Sequence, residues 1–224
     1  SRGLGDVYKR QEMKFIFSED HRIDLQLKVE ASLARAHAKV GNVPRSAARE
    51  ITSQASISIV TRERVYEIEA ETKHDVMAVV KALSEKCGDA GKYVHLVANS
   101  NDIIDDERPV AEARAIEPGG SGSGLQQLAQ NAIPTTYGFK IAGYASEVMR
   151  HLERARECRK RVLVGKLSGA IGTAAALGPK AHEVQSIMMK DLGLGYEEAA
   201  TQVVCRDRYT ELVCLMANIC TSCE

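Results

Sequence analysis

SEDHRIDLQLKVEASLARAHAKVGN (residues 18–42) decides the class of the fold. Ser18 carries the short hydroxyl of a helix N-cap, and Glu19 and Asp20 place negative charge at the positive end of the helix dipole. Two interleaved apolar series recur at helical spacing: Ile23, Leu27, Ala31, Ala34, and Leu25, Val29, Leu33, Ala36, Val40. Gly41-Asn42 supplies a stop, and Pro44 is suited to opening the next short helix. Outward from there the same grammar repeats. Thr61 can cap a helix running through Glu69. Val76, Val79, Val80, Leu83 and Cys87 recur at i, i+3, i+4, i+7 and i+11 until Gly88. Tyr137, Ile141, Tyr144, Val148 and Leu152 share one face of a long helix expected to open at Pro134 and to end on the cations Lys160 and Arg161. GKLSGAIGT (165–173) is a Gly-rich turn, residues 179–192 form a helix stopped by Gly193, and the helical pattern returns from Thr201. Within it LVCLMANIC (212–220) is apolar nearly all round, as a helix inside a bundle or between subunits must be. The pattern is all-α.

Composition excludes several classes. The 224 residues hold 30 Lys plus Arg against 30 Asp plus Glu, so there is no basic excess for nucleic acid or anionic membrane. Hydrophobic residues are 44%, enough for a core, and aromatics only 4%, which suits packed helices better than a β-sandwich. No run approaches the ~18 apolar residues of a membrane span. With no signal segment, the expected compartment is cytoplasmic. Cysteines at 87, 158, 205, 214, 220 and 223 then read as reduced, buried thiols. Cys220-Thr221-Ser222-Cys223 has C-x-x-C spacing but neither a second pair nor a nearby His, so a metal or redox role is the weaker alternative. No metal site or cofactor is expected.

Three polar clusters interrupt the helices: Thr72-Lys73-His74-Asp75, Asn99-Ser100-Asn101-Asp102, and Thr201-Gln202 followed by Arg206-Asp207-Arg208. Each can be a helix cap or a solvated face. Each can also be an anion site, because free N–H groups and the dipole at a helix start favour negative charge. Spacing alone names no reaction.

Longer blocks do more. ETKHDVMAVVKALSEK (71–86), AGKYVHLVANSNDIID (90–105), AIPTTYGFKIAGYASEVMRHLERA (132–155), KRVLVGKLSGAIGTAAALG (160–178) and TQVVCRDRYTELV (201–213) resemble, in order, blocks of the adenylosuccinate lyase family of the fumarase/aspartase superfamily. The resemblance implies a small N-terminal helical domain plus part of a long central helical bundle. It implies residues 13–105 as the N-terminal domain and bundle start, 106–131 as an altered linker, and 132–224 as a truncated central bundle. Residues 1–12 (SRGLGDVYKRQE) read as an adapter-derived tail, and GGSGSG (119–124) as a natural loop or an engineered joint. The implied reaction releases fumarate from adenylosuccinate and from a related purine-pathway dicarboxylate nucleotide, in a homotetramer whose sites draw on several subunits. The roles implied are acid-catalysis support and substrate contact for His74 and Asp75, dicarboxylate contact and site architecture for Ser100, Asn101 and Asp102, and substrate binding for Lys166, Ser168 and Gln202.

The departures from the family pattern are specific. Leu128 stands where the general-acid His is usual, Asn131 replaces a second His and Gln127 a Thr. Val97 stands where the family has Gly, Asn99 where it has Thr, and Cys205 where it has Gln. The family's signature loop with the serine base would lie beyond residue 224. The expectation is a partial, altered copy, inactive or nearly so by itself. A non-catalytic helical interaction module and another lyase of the superfamily are the alternatives.

Overall fold

The computed structural model describes residues 14–106 and 136–223. The tail 1–12, the joint 119–124, Gln127, Leu128, Asn131 and Pro134 lie outside the described residues. The described residues are helical apart from short turns and one pair of two-residue strands. By contacts they fall into two units, one of residues 14–106 with 163–205, the other of 136–162 with 206–223. Residues 163–205 thus group by contacts with residues 14–106.

In the first unit, α1 (Glu19–Val40) is the spine. Ser18 caps it by accepting the His21 N–H, and Gly41 ends it at φ 87°, a conformation glycine adopts without steric cost. Ile23, Leu27, Leu33, Ala36 and Val40 are buried along it. α2 (Arg45–Gln54) packs on it, as does α6 below. α3 (Arg62–Thr72) starts at its Thr61 cap and runs one turn beyond Glu69 before Lys73 stops it. α4 (Asp75–Lys86) buries Val76, Val79, Val80 and Leu83, the expected stripe. A 3-10 turn over Gly88–Tyr93 leads to a helical segment at 100–106.

After residue 162 the chain adds β1 (Val164–Gly165), paired in parallel with β2 (Gly195–Tyr196), and between them α6 (Ala181–Leu192), stopped by Gly193 at φ 74°. Pro179 belongs to the 3-10 turn before α6, because Gly178 at φ 72°, ψ −163° breaks the helical path there. In the second unit, α5 (Tyr137–Val162) packs against α7 (Asp207–Thr221) through Cys158, Val162, Leu212 and Leu215.

One expectation is corrected. The last helix begins at Asp207, not Thr201, because the backbone of 201–204 is held elsewhere: Thr201 O accepts from Ser168 Oγ, and the Val204 N–H donates to Asp105. Among the described residues the 212–220 stretch is buried at Leu212 and Leu215, where α5 packs on it, with Val213 63% exposed. Tyr137, Phe139, Ile141, Tyr144 and Val148 on α5 are likewise exposed.

Lys73 ends α3 at φ 55°, where a Cβ costs about 1–2 kcal/mol. Lys73→Gly is therefore expected to stabilise the chain by about 0.5–1 kcal/mol, net of glycine's extra entropy in the unfolded state. Chemical denaturation checks this; a loss of stability would contradict it.

Candidate active site

His74 sits between α3 and α4 and caps α4 through its ring: the Met77 N–H donates to Nδ1 at 3.3 Å. That bond leaves the proton of the neutral ring on Nε2, which lies 3.3 Å from Ser100 Oγ. Asp75 accepts from its neighbouring Val76 N–H at 2.8 Å and faces Arg22 at 3.5 Å. Both side chains are part-exposed, so the Nε2–H can reach a ligand.

Ser100 opens the 100–106 helical segment inside a reciprocal cap. Asn99 Oδ1 accepts the Asn101 N–H at 3.0 Å, and Asp102 Oδ2 reaches back to the Asn99 N–H at 2.8 Å. This is a capping-box arrangement built from Asn and Asp. Asp102 also anchors the Gly-rich turn. It forms a fully buried ion pair with Lys166 and accepts the N–H groups of Ser168 at 3.3 Å and Gly169 at 3.2 Å. Asp102 and Lys166 therefore face each other rather than solvent, while Ser168 beside them keeps an exposed edge.

The turn is closed by the Ala174 N–H on Ser168 O at 2.9 Å. It packs on residues 200–201 so tightly that a Cβ at Gly172, itself at φ 82°, would overlap the carbonyl oxygen of Ala200. Ser168 Oγ donates to Thr201 O at 3.5 Å, which sets exposed Gln202 next to the turn. A continuous path thus joins His74, Ser100, Asp102, Lys166, Ser168 and the chain at Gln202. Asn101 is half-buried, its amide 3.5 Å from Asn99 Oδ1.

Four further residues of this region, Glu30, His95, Asp105 and Asp106, were not singled out by the sequence. Glu30, 1% exposed, clamps His95: Oε2 accepts the His95 N–H at 3.0 Å and Oε1 lies 2.6 Å from ring Nδ1. Burial disfavours charge on the ring, but the Glu30 hydrogen bond and the charges of Glu30 and Asp102 outweigh it and hold His95 above its ordinary 6.5. The clue lay in Glu30's position on the buried stripe Ile23-Leu27-Glu30-Ala34, where a carboxylate must have a partner. The others are Asp105 and Asp106, completely buried at i+3 and i+4 from Asp102. His95 at φ 59° and Val97 at φ 62° both hold left-handed backbone, a costly state for a β-branched residue. Val97 is the position where the family resemblance places Gly, and the geometry shows why Gly fits there.

No group of three or more His, Cys, Asp or Glu among the described residues is placed to hold a metal, and none of their helices is long and apolar enough to cross a membrane. None of the six cysteines is in a disulfide; Cys87 and Cys158 are buried and the other four exposed, so the reading of buried thiols holds for two. Burial and the nearby Glu50 push the Cys87 thiol up to about 11, which keeps it un-ionised.

A family model described as Lyase matches residues 128–224. Adenylosuccinate lyase of Pyrococcus horikoshii is 45% identical over 97% of the chain, and that of Pyrococcus abyssi 44% over 97%, each match covering 52% of the relative. The chain is similar to adenylosuccinate lyases over nearly its whole length. It spans about half the length of the curated relatives it matches. Fumarate lyase from Mesorhizobium sp. BNC1 superposes with a TM-score of 0.80 at 31% identity, covering 94% of this chain and 54% of that one. The 3-carboxy-cis,cis-muconate lactonizing enzyme of Pseudomonas putida gives 0.82 at 29%, covering 94% and 53%. The all-α fold of the described residues thus matches about half of each of those two proteins.

The Glu30–His95 contact makes stability depend on pH. His95 is raised in the folded state, so its contribution is complete below about pH 6.5 and is lost as pH climbs through the raised value. The unfolding free energy should fall across that window, and His95→Gln should flatten the fall. Denaturant titrations at stepped pH check this; an unchanged slope in the variant would contradict it.

Proposed function

We propose that this chain is part of an adenylosuccinate-lyase-type C–N lyase, releasing fumarate from adenylosuccinate to leave AMP, and that by itself it is catalytically impaired. In that reaction a base removes a proton beside a carboxylate, donors hold the resulting carbanion, the C–N bond breaks as the double bond of fumarate forms, and an acid protonates the departing nitrogen. His74, with a proton on Nε2 pointing toward Ser100, suits substrate contact and the support of acid catalysis, while the acid's own position is held by Leu128. Ser100, Asn101, Ser168 and Gln202 are the substrate-facing candidates, Asp75 supports His74, and Asp102 with Lys166 supplies the architecture beneath them.

The observation that carries the reading is convergence: His74, the 99–102 cap and the 166–169 turn meet through direct hydrogen bonds although they lie up to 95 positions apart, and 201–202 packs beside them. Impairment follows from Leu128, since an aliphatic side chain donates no proton, and no copy of the chain can lend another a group that none of them has. Residues 13–105 serve as the N-terminal domain, 106–131 as an altered linker and 132–224 as part of the central bundle, behind a non-native tail at 1–12. The exposed apolar faces at Tyr137, Phe139, Val148 and Val213 favour a homo-oligomer, in the family a tetramer. The compartment proposed for it is the cytoplasm. Leu128 and Asn131 favour a second reading, a helical module that has lost the chemistry.

Adenylosuccinate should raise the thermal midpoint of the chain more than argininosuccinate or fumarate does, because a ligand of the folded form stabilises it, by about 2.7 kcal/mol at a hundredfold excess over Kd. Fumarate release should be absent or far below the rate of a full-length enzyme. Equal protection by all three compounds, or none, would overturn the substrate assignment; full-rate turnover would overturn the impairment.

A further inference from the structure

Asp102, Asp105, Asp106 and Lys166 are each completely buried. Lys166 is the one ammonium in this group, and it is bound to Asp102. Asp105 accepts the Val204 N–H at 3.3 Å. Asp106 Oδ1 accepts the backbone N–H of Lys166 at 2.8 Å, and Oδ2 has no hydrogen-bond partner among the described residues. The backbone of the turn rests directly on this carboxyl group: a Cβ at Gly165 would overlap Asp106 Oδ1 and come within 2.6 Å of Met189 Sδ from α6.

One ammonium neutralises one carboxylate. A second, fully buried ionised carboxylate beside Asp102, with no cation of its own among the described residues, is far costlier than a carboxyl group that keeps its proton. We propose that Asp106 is a neutral carboxylic acid in the folded chain and the positioning residue of the 165–169 turn, holding Lys166 through its backbone and leaving the ammonium wholly to Asp102. Burial, together with the charges of Asp102 and Asp105, drives Asp106 well above the ordinary carboxylate range against the opposing pull of Lys166. Ionised, Asp106 would repel Asp102 and compete for the ammonium, and the Ser168 and Gly169 N–H groups that Asp102 holds would lose their anchor. The assignment goes beyond the lyase reading, and its readouts need no substrate.

The 224-residue chain should show at neutral pH the infrared carbonyl band of a protonated carboxyl group, and Asp106→Asn should remove it. Absence of the band, or its persistence in the variant, would overturn the proposal. Thermal unfolding supplies a second readout. Asp106 is raised when folded, so its contribution is complete below its ordinary 3.8 and is lost as pH rises through the folded value. Asparagine does not titrate, so the midpoint of Asp106→Asn should gain on that of the parent by several degrees between about pH 5 and about pH 8. A pH-independent difference would overturn the proposal. So would failure of Asp106→Asn to fold, because the amide is the nearest neutral copy of the acid.

Discussion

The buried contact between Asp102 and Lys166 is the constraint on which the candidate site depends. Two charges taken out of water lose several kcal/mol of solvation each, and the interior repays this only when geometry is good and the remaining lone pairs are used. Asp102 meets that condition by accepting from Asn99, Ser168 and Gly169 as well as from Lys166. The result is a clamp between two segments more than sixty residues apart in sequence. One carries Ser100 toward His74, and the other carries Ser168 toward residues 201–202.

Around the clamp the backbone is held in states it would not choose unaided. Val97 and His95 are left-handed, and the 200–201 backbone lies where only glycine can sit opposite it at Gly172. Strain of this kind, about 1–3 kcal/mol at each position, persists only where the surroundings over-determine it. Glu30 provides that for His95 from the spine helix α1, whose core packing against α2 and α6 is independent of the site. A stable helical frame thus fixes a loop cluster that is itself under load, as a preorganised binding site requires.

The frame was legible in the sequence because it rests on periodicity and caps. Ser18, Gly41, Thr61 and Gly193 fall where the chain's own signals put them. The site was legible only in part. Spacing marked the clusters at 72–75, 99–102 and 201–202 but could not join them, since the contacts that do so are long-range and tertiary. Family resemblance supplied Lys166 and Ser168, yet not that Lys166 is buried against Asp102. Glu30, His95 and Asp106 escaped because each is explained by a partner far along the chain. The start of the last helix was misplaced because a helical pattern in sequence does not reveal that the 201–204 backbone is already engaged with Ser168 and Asp105.

The most direct test is the unfolding free energy of Lys166→Met, alone and combined with Asp102→Asn. Removing the ammonium strands a buried carboxylate, so the single variant should lose about 3–5 kcal/mol. Adding Asp102→Asn, which keeps an acceptor oxygen but discards the charge, should recover much of that loss. A single variant within about 0.5 kcal/mol of the parent, or a double variant that merely adds a second loss, would contradict the clamp.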